Sequence, residues 1–506
     1  VAIAYEIYEL CKKQSMLNHM YEDIDVNYTD DDETENEDGE FVETDFDPES
    51  LTDKYFREME SQLVDDKSKP YHYAYAPTAN LKNIIVPYKN LKKYFNEFVI
   101  YNIHDVNEER KNAAVEEAKN KVYKEFNESN KKYIMYLVKE FELRRNARQF
   151  ARASVAKTGE LNLKKIHQYK LSDDLFKRVS IVPKGKSHGL VMFIDYSGSM
   201  YNNISQTIEQ TVILATFCRK VNIPFRVYAF TDSTGTAMEE FELDKNLLEN
   251  TRFYDRFKNE KFSKNSGELN YCGSFRLREY LSSDMSNTEF REAAKYWLLV
   301  GRLFSLRKNY YTRKPIPIGV REFDERDIGV PLIEDLSGTP LDEAIVSSIQ
   351  IVKEFRSKFK LDVVNTVFLT DGESNETQSV VDQRNLPSTR HNNYNCVIRD
   401  KETMAEGYAA PGTPITLALL RLLKKIANVN VIGFYVVESA TRQVVTTIGR
   451  VHGVSYEHLE RGHKVIHKNK FMMLNDVGYD DFYIVPNSSL KIEDEDFEVK
   501  EDSKKT

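Results

Sequence analysis

GLVMFIDYSGSM, residues 189–200, joins an unbroken apolar run to a group of small, oxygen-bearing side chains. The run is continuous rather than alternating, which is typical of a strand covered on both faces. Asp195, Ser197 and Ser199 follow at its carboxyl end. In open α/β sheets, ligands bind at the carboxyl ends of strands, where the strand order reverses. This stretch therefore predicts a fold class and the position of a binding site.

The rest of the C-terminal half alternates between strand and helix patterns. NTVFLTD (365–371) and VNVIGFYVV (429–437) predict two more buried strands, and the alternating PFRVYAFTD (224–232) predicts a strand nearer the sheet edge. Helical patterns lie at about 204–221, 286–307, 340–358 and 415–427. We therefore expect an α/β fold with a mostly parallel sheet flanked by helices.

Two further segments supply oxygen atoms to the predicted site. Ser337-Gly338-Thr339-Pro340 opens a predicted helix, and the 365–371 strand ends in an aspartate. Together the segments offer an all-oxygen set of metal ligands: Asp195, Ser197, Ser199, Thr339 and Asp371. Mg²⁺ prefers such oxygen ligands, and neutral hydroxyls would leave it with positive charge and an open position for a carboxylate. The alternative is that Ser199 and Thr339 only cap helices.

Composition divides the chain into segments of different character. No Lys or Arg occurs between residues 14 and 53, where acidic residues are dense, and such a stretch cannot bury enough apolar surface to fold. The expected segments are a helix remnant (1–13), an acidic disordered linker (14–53), a small mixed region (54–104), a helical and basic region (105–185), the strand–helix domain (186–470) with insertions at about 233–335 and 375–411, and a C-terminal extension with an acidic tail (471–506).

The ligand set resembles the metal-ion-dependent adhesion site (MIDAS) of von Willebrand factor A domains, over about residues 186–470. The resemblance implies a doubly wound, mostly parallel, Rossmann-like sheet. It also implies that Ser197, Ser199 and Thr339 coordinate Mg²⁺ (or Mn²⁺ or Ca²⁺) directly, while Asp195 and Asp371 act mostly through water. A second Gly-Thr-Pro at 412–414 competes for the threonine role, but it follows the Asp371 strand, whereas the family's threonine precedes it.

The layout of acidic linker, basic segment (141–178) and A domain is similar to that of the CobT-type subunit of aerobic cobaltochelatase. The amino-acid sequence of residues 141–200 resembles most strongly those of the CobT-like proteins of large tailed bacteriophages. This resemblance implies a non-catalytic subunit of a cobaltochelatase-like complex. Its partner would be a MoxR/CobS-like AAA+ ATPase that offers a carboxylate ligand to the ion.

Overall composition excludes several classes of protein. The net charge of −9, from 71 basic and 80 acidic residues, argues against a general nucleic-acid binder. No apolar run reaches the ~18 residues that a membrane span needs. Four widely spaced cysteines argue against a disulfide scaffold or a structural zinc site. We expect a cytoplasmic protein, in the host cytoplasm if phage-encoded, and, because it opens at Val1 without a signal-like segment, a piece of a longer product.

Two alternative functions stay open at this point. One is a hydrolase or peptidase that uses a cluster of C-terminal histidines, namely His452, His458, His463 and His467. His463 and His467 have the spacing of a helical zinc pair, but Lys464 stands where a metalloprotease has its Glu. The other is a phage virion structural or adhesion protein that uses the A domain for attachment.

Two weaker motifs receive no function. Gly185-Lys186-Ser187 ends like a phosphate loop, but it lacks the first glycine and precedes a strand, whereas a phosphate loop follows one. The frame from Thr34 to Asp45 resembles an EF-hand loop with the wrong first and last ligands. We therefore expect neither ATP hydrolysis by this chain alone nor a calcium site in the acidic linker.

Overall fold

The computed structural model describes most of the chain between Tyr71 and Asn487, and the structural statements below concern only these residues: 71–95, 98–100, 108–151, 154–161, 176–181, 187–232, 260–271, 273–308, 328–372, 374–375, 380–382, 395–411, 413–437, 466, 469–474 and 478–487. The predicted helix remnant, the acidic linker with its EF-hand-like frame, and the acidic tail lie outside the described residues, as do Lys186 and the four C-terminal histidines.

The strands, numbered in chain order, are β1 (Tyr71–Tyr75), β2 (Ile85–Val86), β3 (Val99–Ile100), β4 (Ser154–Leu161), β5 (Phe176–Ile181), β6 (His188–Asp195), β7 (Phe225–Thr231), β8 (Arg276–Ser282), β9 (Ile328–Gly329), β10 (Val363–Thr370), β11 (Asn395–Arg399), β12 (Glu406–Ala409), β13 (Asn430–Val437), β14 (Met472–Leu474) and β15 (Asp481–Pro486). The α-helices are α1 (Leu81–Ile84), α2 (Tyr88–Leu91), α3 (Glu108–Ala151), α4 (Ile204–Lys220), α5 (Asn287–Lys308), α6 (Leu341–Phe359) and α7 (Ile415–Ala427). The strands and helices predicted after Gly189 are confirmed, with bounds that differ by at most two residues.

Eight of these strands form one large, mostly parallel sheet in the order β14-β15-β13-β10-β6-β7-β8-β2. β15, β13, β10, β6 and β7 are mutually parallel, while β8 is antiparallel to β7 and β14 is antiparallel to β15. The molecule is therefore an α/β protein, as the sequence predicts. β7 lies nearer the sheet edge than β6, as its alternating pattern predicts, but β8 and β2 cover it and it is almost completely buried.

The order of strands reverses between β6 and β10. From β6 the chain proceeds to β7 and β8 on one side, and it then returns to β10, β13 and β15 on the other side. The chain after β6 and the chain after β10 consequently lead to helices on opposite faces of the sheet, α4 and α7, and in open α/β sheets such a reversal is where a ligand crevice forms.

The two faces of the sheet carry separate hydrophobic cores. Leu190, Met192 and Ile194 of β6 pack in one cluster with residues of α3, α4 and α5. The alternate residues Val191 and Phe193 pack in the second cluster with residues of α6 and α7. This division explains the continuous apolar run, because successive side chains of a strand point to opposite faces and both faces are covered here.

The charge pattern of α6 shows how local sequence sets a helix. Asp342 and Glu343 lie in its first turn, and Arg356 and Lys358 lie in its last turn. This arrangement complements the partial charges at the two helix ends. Lys360 then adopts a left-handed conformation (φ 52°) and ends the helix. α6 begins immediately after Pro340, so the Ser337–Thr339 segment is held at its amino end.

Several expected segment boundaries differ from the observed layers. The expected insertion at 233–335 contains β8, which pairs with β7 in the large sheet, and α5, which packs on the sheet beside α4. The expected mixed region at 54–104 contributes β2 to the sheet edge and β1 to a smaller sheet with β11 and β12. The sheet also continues past residue 470, because β15 pairs in parallel with β13. These pairings join residues far apart in sequence, so composition alone does not reveal them.

Candidate metal centre

Asp195 is the last residue of β6, and its carboxylate lies at the base of the crevice. The side chain is fully buried. Oδ1 accepts a hydrogen bond from the Ser197 backbone N–H at 2.9 Å, and Oδ2 accepts one from the Thr370 hydroxyl at 2.6 Å. Both oxygens are thus already engaged, which suits a carboxylate that supports an ion from behind.

Ser197, Ser199 and Asp371 form a chain of hydrogen bonds across the crevice. Ser199 Oγ donates to Asp371 Oδ1 at 2.6 Å, and the Ser197 and Ser199 hydroxyls are 2.9 Å apart. Since the proton of Ser199 is donated to Asp371, Ser197 is the donor to Ser199. Both hydroxyl protons are therefore committed towards Asp371, and the remaining lone pairs of the serine oxygens are available to a cation.

The loop that carries Thr339 is held against the loop after β6 by backbone hydrogen bonds. Gly198 N donates to Ser337 O at 2.7 Å, and Ser337 N donates to Tyr196 O at 3.3 Å. A Cβ atom on Gly372 would lie 3.5 Å from Ser199 Oγ and 3.6 Å from Thr339 Oγ1. The Ser199 and Thr339 hydroxyl oxygens therefore both border the space beside Gly372, which carries no side chain.

The electrostatics of the centre are those of two crowded carboxylates. Burial raises the pKa of Asp195 to about 7, with the Thr370 hydroxyl acting in the opposite direction and the nearby Asp371 adding to the rise. Burial also raises the pKa of Asp371, and hydrogen bonds from Ser199 and Asn203 oppose this rise. A divalent cation would relieve both effects, because it supplies the positive charge that this buried pair lacks.

Three further residues complete the geometry and were not among the predicted ligands. Thr370 binds Asp195, and Asn203 Nδ2 donates to Asp371 Oδ2 at 3.1 Å. Asp232 follows β7, and its Oδ1 accepts from Gly338 N at 2.8 Å, next to Thr339. A sequence signal for Asp232 exists, because PFRVYAFTD ends a strand in an aspartate, as the Asp195 and Asp371 strands do.

The competing threonine occupies a different environment. Thr413 Oγ1 donates to Ala410 O at 2.6 Å and precedes α7, so it stabilises the turn between β12 and that helix. Ser187 of the phosphate-loop-like triplet directly precedes β6, where its hydroxyl is 2.9 Å from Asp362 Oδ2. Neither hydroxyl has a hydrogen bond with the five predicted ligands.

The assembled side chains fit a hard divalent cation. Within the described ranges there is no group of three or more His, Cys, Asp or Glu residues that could hold a metal ion. Ser197, Ser199 and Thr339 would instead hold it through neutral oxygens, with Asp195 and Asp371 close behind. Such a donor set suits Mg²⁺, which keeps several waters, and not Zn²⁺, which prefers nitrogen and sulfur. The bound ion would supply a positive charge and an exchangeable position at the surface.

Comparisons with known proteins add little to this geometry. No protein-family model matches the chain, and no curated protein matches it. Among solved structures, the chain is similar to the pilus adhesin SpaC from Lactobacillus rhamnosus GG in its open conformation, with 12% sequence identity and a TM-score of 0.27. The alignment covers 57% of this chain and 31% of the adhesin. A likeness of this size carries no argument about the fold or the function.

In the part of the chain that the structure describes, none of the helices combines the length and the apolar character that crossing a bilayer requires.

Proposed function

We propose that this chain is a von Willebrand factor A-type protein that binds Mg²⁺ and, through the ion, a carboxylate of a partner protein. The observation that carries the proposal is the Ser197–Ser199–Asp371 hydrogen-bond chain with Thr339 facing the same space. It commits the Ser197 and Ser199 protons towards Asp371 and leaves lone pairs of both serine oxygens for a cation. The chain would act as a binding subunit without catalysis of its own.

The doubly wound arrangement of that family is also proposed here. It is supported by the reversal of strand order between β6 and β10 and by the antiparallel β8 beyond β7. The candidate ligands follow β6 and β10, on either side of the reversal, where such sheets bind ligands.

The proposed partner is a MoxR/CobS-like AAA+ ATPase in a chelatase-like or remodelling complex. An ion held mainly by neutral oxygens keeps net positive charge, so a carboxylate is its natural additional ligand. Ser199 is exposed while Asp195 is fully buried, so a partner side chain reaches the ion position from the Ser199 side. ATP hydrolysis by the partner would then drive the remodelling or metal insertion, and this subunit would provide the ion-dependent binding site.

The test uses two threonines that occur in the same local sequence. Thr339→Ala should weaken Mg²⁺ binding, measured by calorimetry, by at least about tenfold, because a direct oxygen ligand is lost. Thr413→Ala is the matched control, since it also follows a glycine and precedes a proline and a helix, and it should leave Mg²⁺ affinity unchanged. Equal affinities in wild type and both variants would remove Thr339 from the site, and absence of Mg²⁺ binding by the wild type would end the proposal.

A further inference from the structure

A fully buried group of polar and aromatic side chains lies between the large sheet and α5. It is contributed by the loop after β6, by β8, by α5 and by the short 3₁₀ turn at Leu332–Glu334, and its members are Tyr196, Arg278, Tyr280, Tyr296, Trp297 and Glu334. We call it the Glu334 network. It is unusual in a core because it contains a carboxylate and a guanidinium with no exposure to water.

Hydrogen bonds and ring contacts connect the members of the Glu334 network. Tyr280 donates its hydroxyl to Glu334 Oε2, and Tyr296 donates to Glu334 Oε1, each at 2.6 Å. Trp297 Nε1 donates to the Tyr196 hydroxyl at 2.7 Å. The Tyr280 ring stacks on Trp297 with centroids 4.6 Å apart and lies 5.8 Å from the Tyr196 ring. Burial raises the pKa of Glu334, and the positive charge of Arg278 and the tyrosine hydroxyls oppose this rise.

The network is attached to both loops that carry the candidate ligands. Tyr196 stands between Asp195 and Ser197 in the loop after β6. Glu334 precedes Ser337-Gly338-Thr339 in the second loop, and the two loops meet where Ser337 N donates to Tyr196 O. A shift of Glu334 or of the Tyr196 ring would therefore change how Thr339 sits relative to Ser197 and Ser199.

Stability alone does not account for a buried network of this kind. Removing a carboxylate and a guanidinium from water is costly, and apolar side chains of the same volume often stabilise a core equally well or better. Hydrogen-bonded polar groups, in contrast, accept only one arrangement of their neighbours. The network is suited to defining the relative position of the two loops.

We propose that Glu334, held by the hydroxyls of Tyr280 and Tyr296, is a positioning residue that sets the Thr339 loop against the Ser197–Ser199 loop before any ion is bound. One part of the inference rests on the proposed function, namely that this positioning raises the affinity of the site for Mg²⁺. Its structural part, the ordering of two loops by a buried carboxylate, is independent of the ion.

The experiment compares buried tyrosines on the two faces of the sheet. Tyr280→Phe and Tyr296→Phe each remove one hydrogen bond to Glu334 and keep the ring. Tyr228→Phe is the matched control, because Tyr228 is also fully buried, packs on the opposite face of the sheet, and accepts a hydrogen bond on its hydroxyl from Arg226 Nη1 at 3.2 Å. Hydrogen exchange of ion-free protein is measured by mass spectrometry in peptides covering 195–202 and 332–340, alongside Mg²⁺ affinity.

We expect Tyr280→Phe and Tyr296→Phe to raise exchange in both peptides and to weaken Mg²⁺ binding by about tenfold, the effect of one lost buried hydrogen bond. Tyr228→Phe should change neither quantity, even if its loss of overall stability is similar. If Tyr280→Phe and Tyr296→Phe both show the same hydrogen exchange as the wild type in the two peptides, the inference is overturned, whatever their Mg²⁺ affinities are. Absence of Mg²⁺ binding by the wild type would instead contradict the proposed function and leave the exchange result to decide the inference.

Discussion

Glu268 is a buried carboxylate that is surrounded by hydrogen-bond donors. Oε2 accepts from Ser263 Oγ at 2.7 Å and from Asn265 N at 2.9 Å. Oε1 accepts from Asn265 Nδ2 and from Lys401 Nζ, each at 2.9 Å. Burial opposes ionisation, but the bonds from Asn265, Lys401 and Ser263 outweigh it and lower the pKa of Glu268 to about 2. The ionised form is therefore strongly preferred in the folded protein.

We predict an acid-dependent loss of stability from this residue. Its pKa is lower in the folded state than in the unfolded state, so the stabilisation is present above the unfolded pKa of about 4.5 and is lost as the pH falls towards 2. The full contribution corresponds to about 3 kcal/mol. Urea unfolding between pH 7 and pH 3 should show Glu268→Gln less stable at pH 7 and less sensitive to acid than wild type. Identical pH profiles for the two proteins would contradict the assignment.

At the scale of single residues, the candidate ligands could be proposed because they lie at or near the ends of recognisable elements. Asp195 and Asp371 end apolar strands, and Thr339 precedes a helix. Asp232 has the same signal, and Ser233, Thr234 and Thr236 follow it in the sequence, but its bond to Gly338 depends on folding. Glu334 has no signal at all, since only its partners in other elements reveal its role.

The contact between β12 and α7 shows how closely elements approach in this fold. Gly407 of β12 lies against the helix backbone, and a Cβ atom at this position would be 1.8 Å from Ala418 O. Such a clash involves backbone, so a rotamer change cannot relieve it. The close packing of the small β1-β11-β12 sheet on α7 therefore requires glycine at this position.

We predict that Gly407→Ala lowers the free energy of unfolding by about 1–3 kcal/mol, because β12 and α7 must separate. Gly301→Ala in α5 is the control. Its new Cβ would be 3.3 Å from the flexible end of Ile208, and alanine is favoured over glycine in a helix by about 1 kcal/mol. Chemical denaturation should show a loss for the first variant and none for the second. Equal stability of Gly407→Ala and wild type would mean that β12 can move away from α7 without cost.

At the scale of the whole molecule, two contacts that the proposed partner could make are expected to respond differently to solution conditions. The ion position by Ser199 would make one coordinated contact. The carboxyl-terminal part of α3 carries Arg144, which pairs with Glu140 at 2.7 Å, and the exposed Arg145. The exposed arginine charges of α3 act through water and are screened by salt, whereas a carboxylate coordinated to the ion is shielded from this screening.

We predict that binding of a MoxR-type ATPase requires the divalent ion and is more sensitive to EDTA than to salt. Ser199→Ala should weaken binding by roughly 2–4 kcal/mol, about 30- to 1,000-fold, whereas the control Ser187→Ala should not. Arg145→Ala should mainly slow association and reduce the salt dependence. Surface plasmon resonance measures both rates. Binding that survives EDTA but is lost in moderate salt would assign the contact to α3.

Local sequence determined the elements of this protein and the chemistry of its candidate site. Apolar runs, helical periodicity and the residues at element ends depend on neighbours within a few positions, so they can be recognised in the chain alone. This is why β6, β10, β13 and the helices between them were predicted with nearly their observed bounds, and why five oxygen ligands could be named.

Tertiary structure decided which elements became neighbours. Several contacts join segments that are distant in sequence. They are the pairing of β8 with β7, the addition of β2 and β15 to the sheet, and the contact of Tyr196 with Glu334. Each of these contacts depends on strand order and on the complementary shape of packed side chains, and both are properties of the whole chain. The candidate oxygen donors could therefore be named from the sequence, while the Glu334 network beside their two loops exists only in the folded molecule.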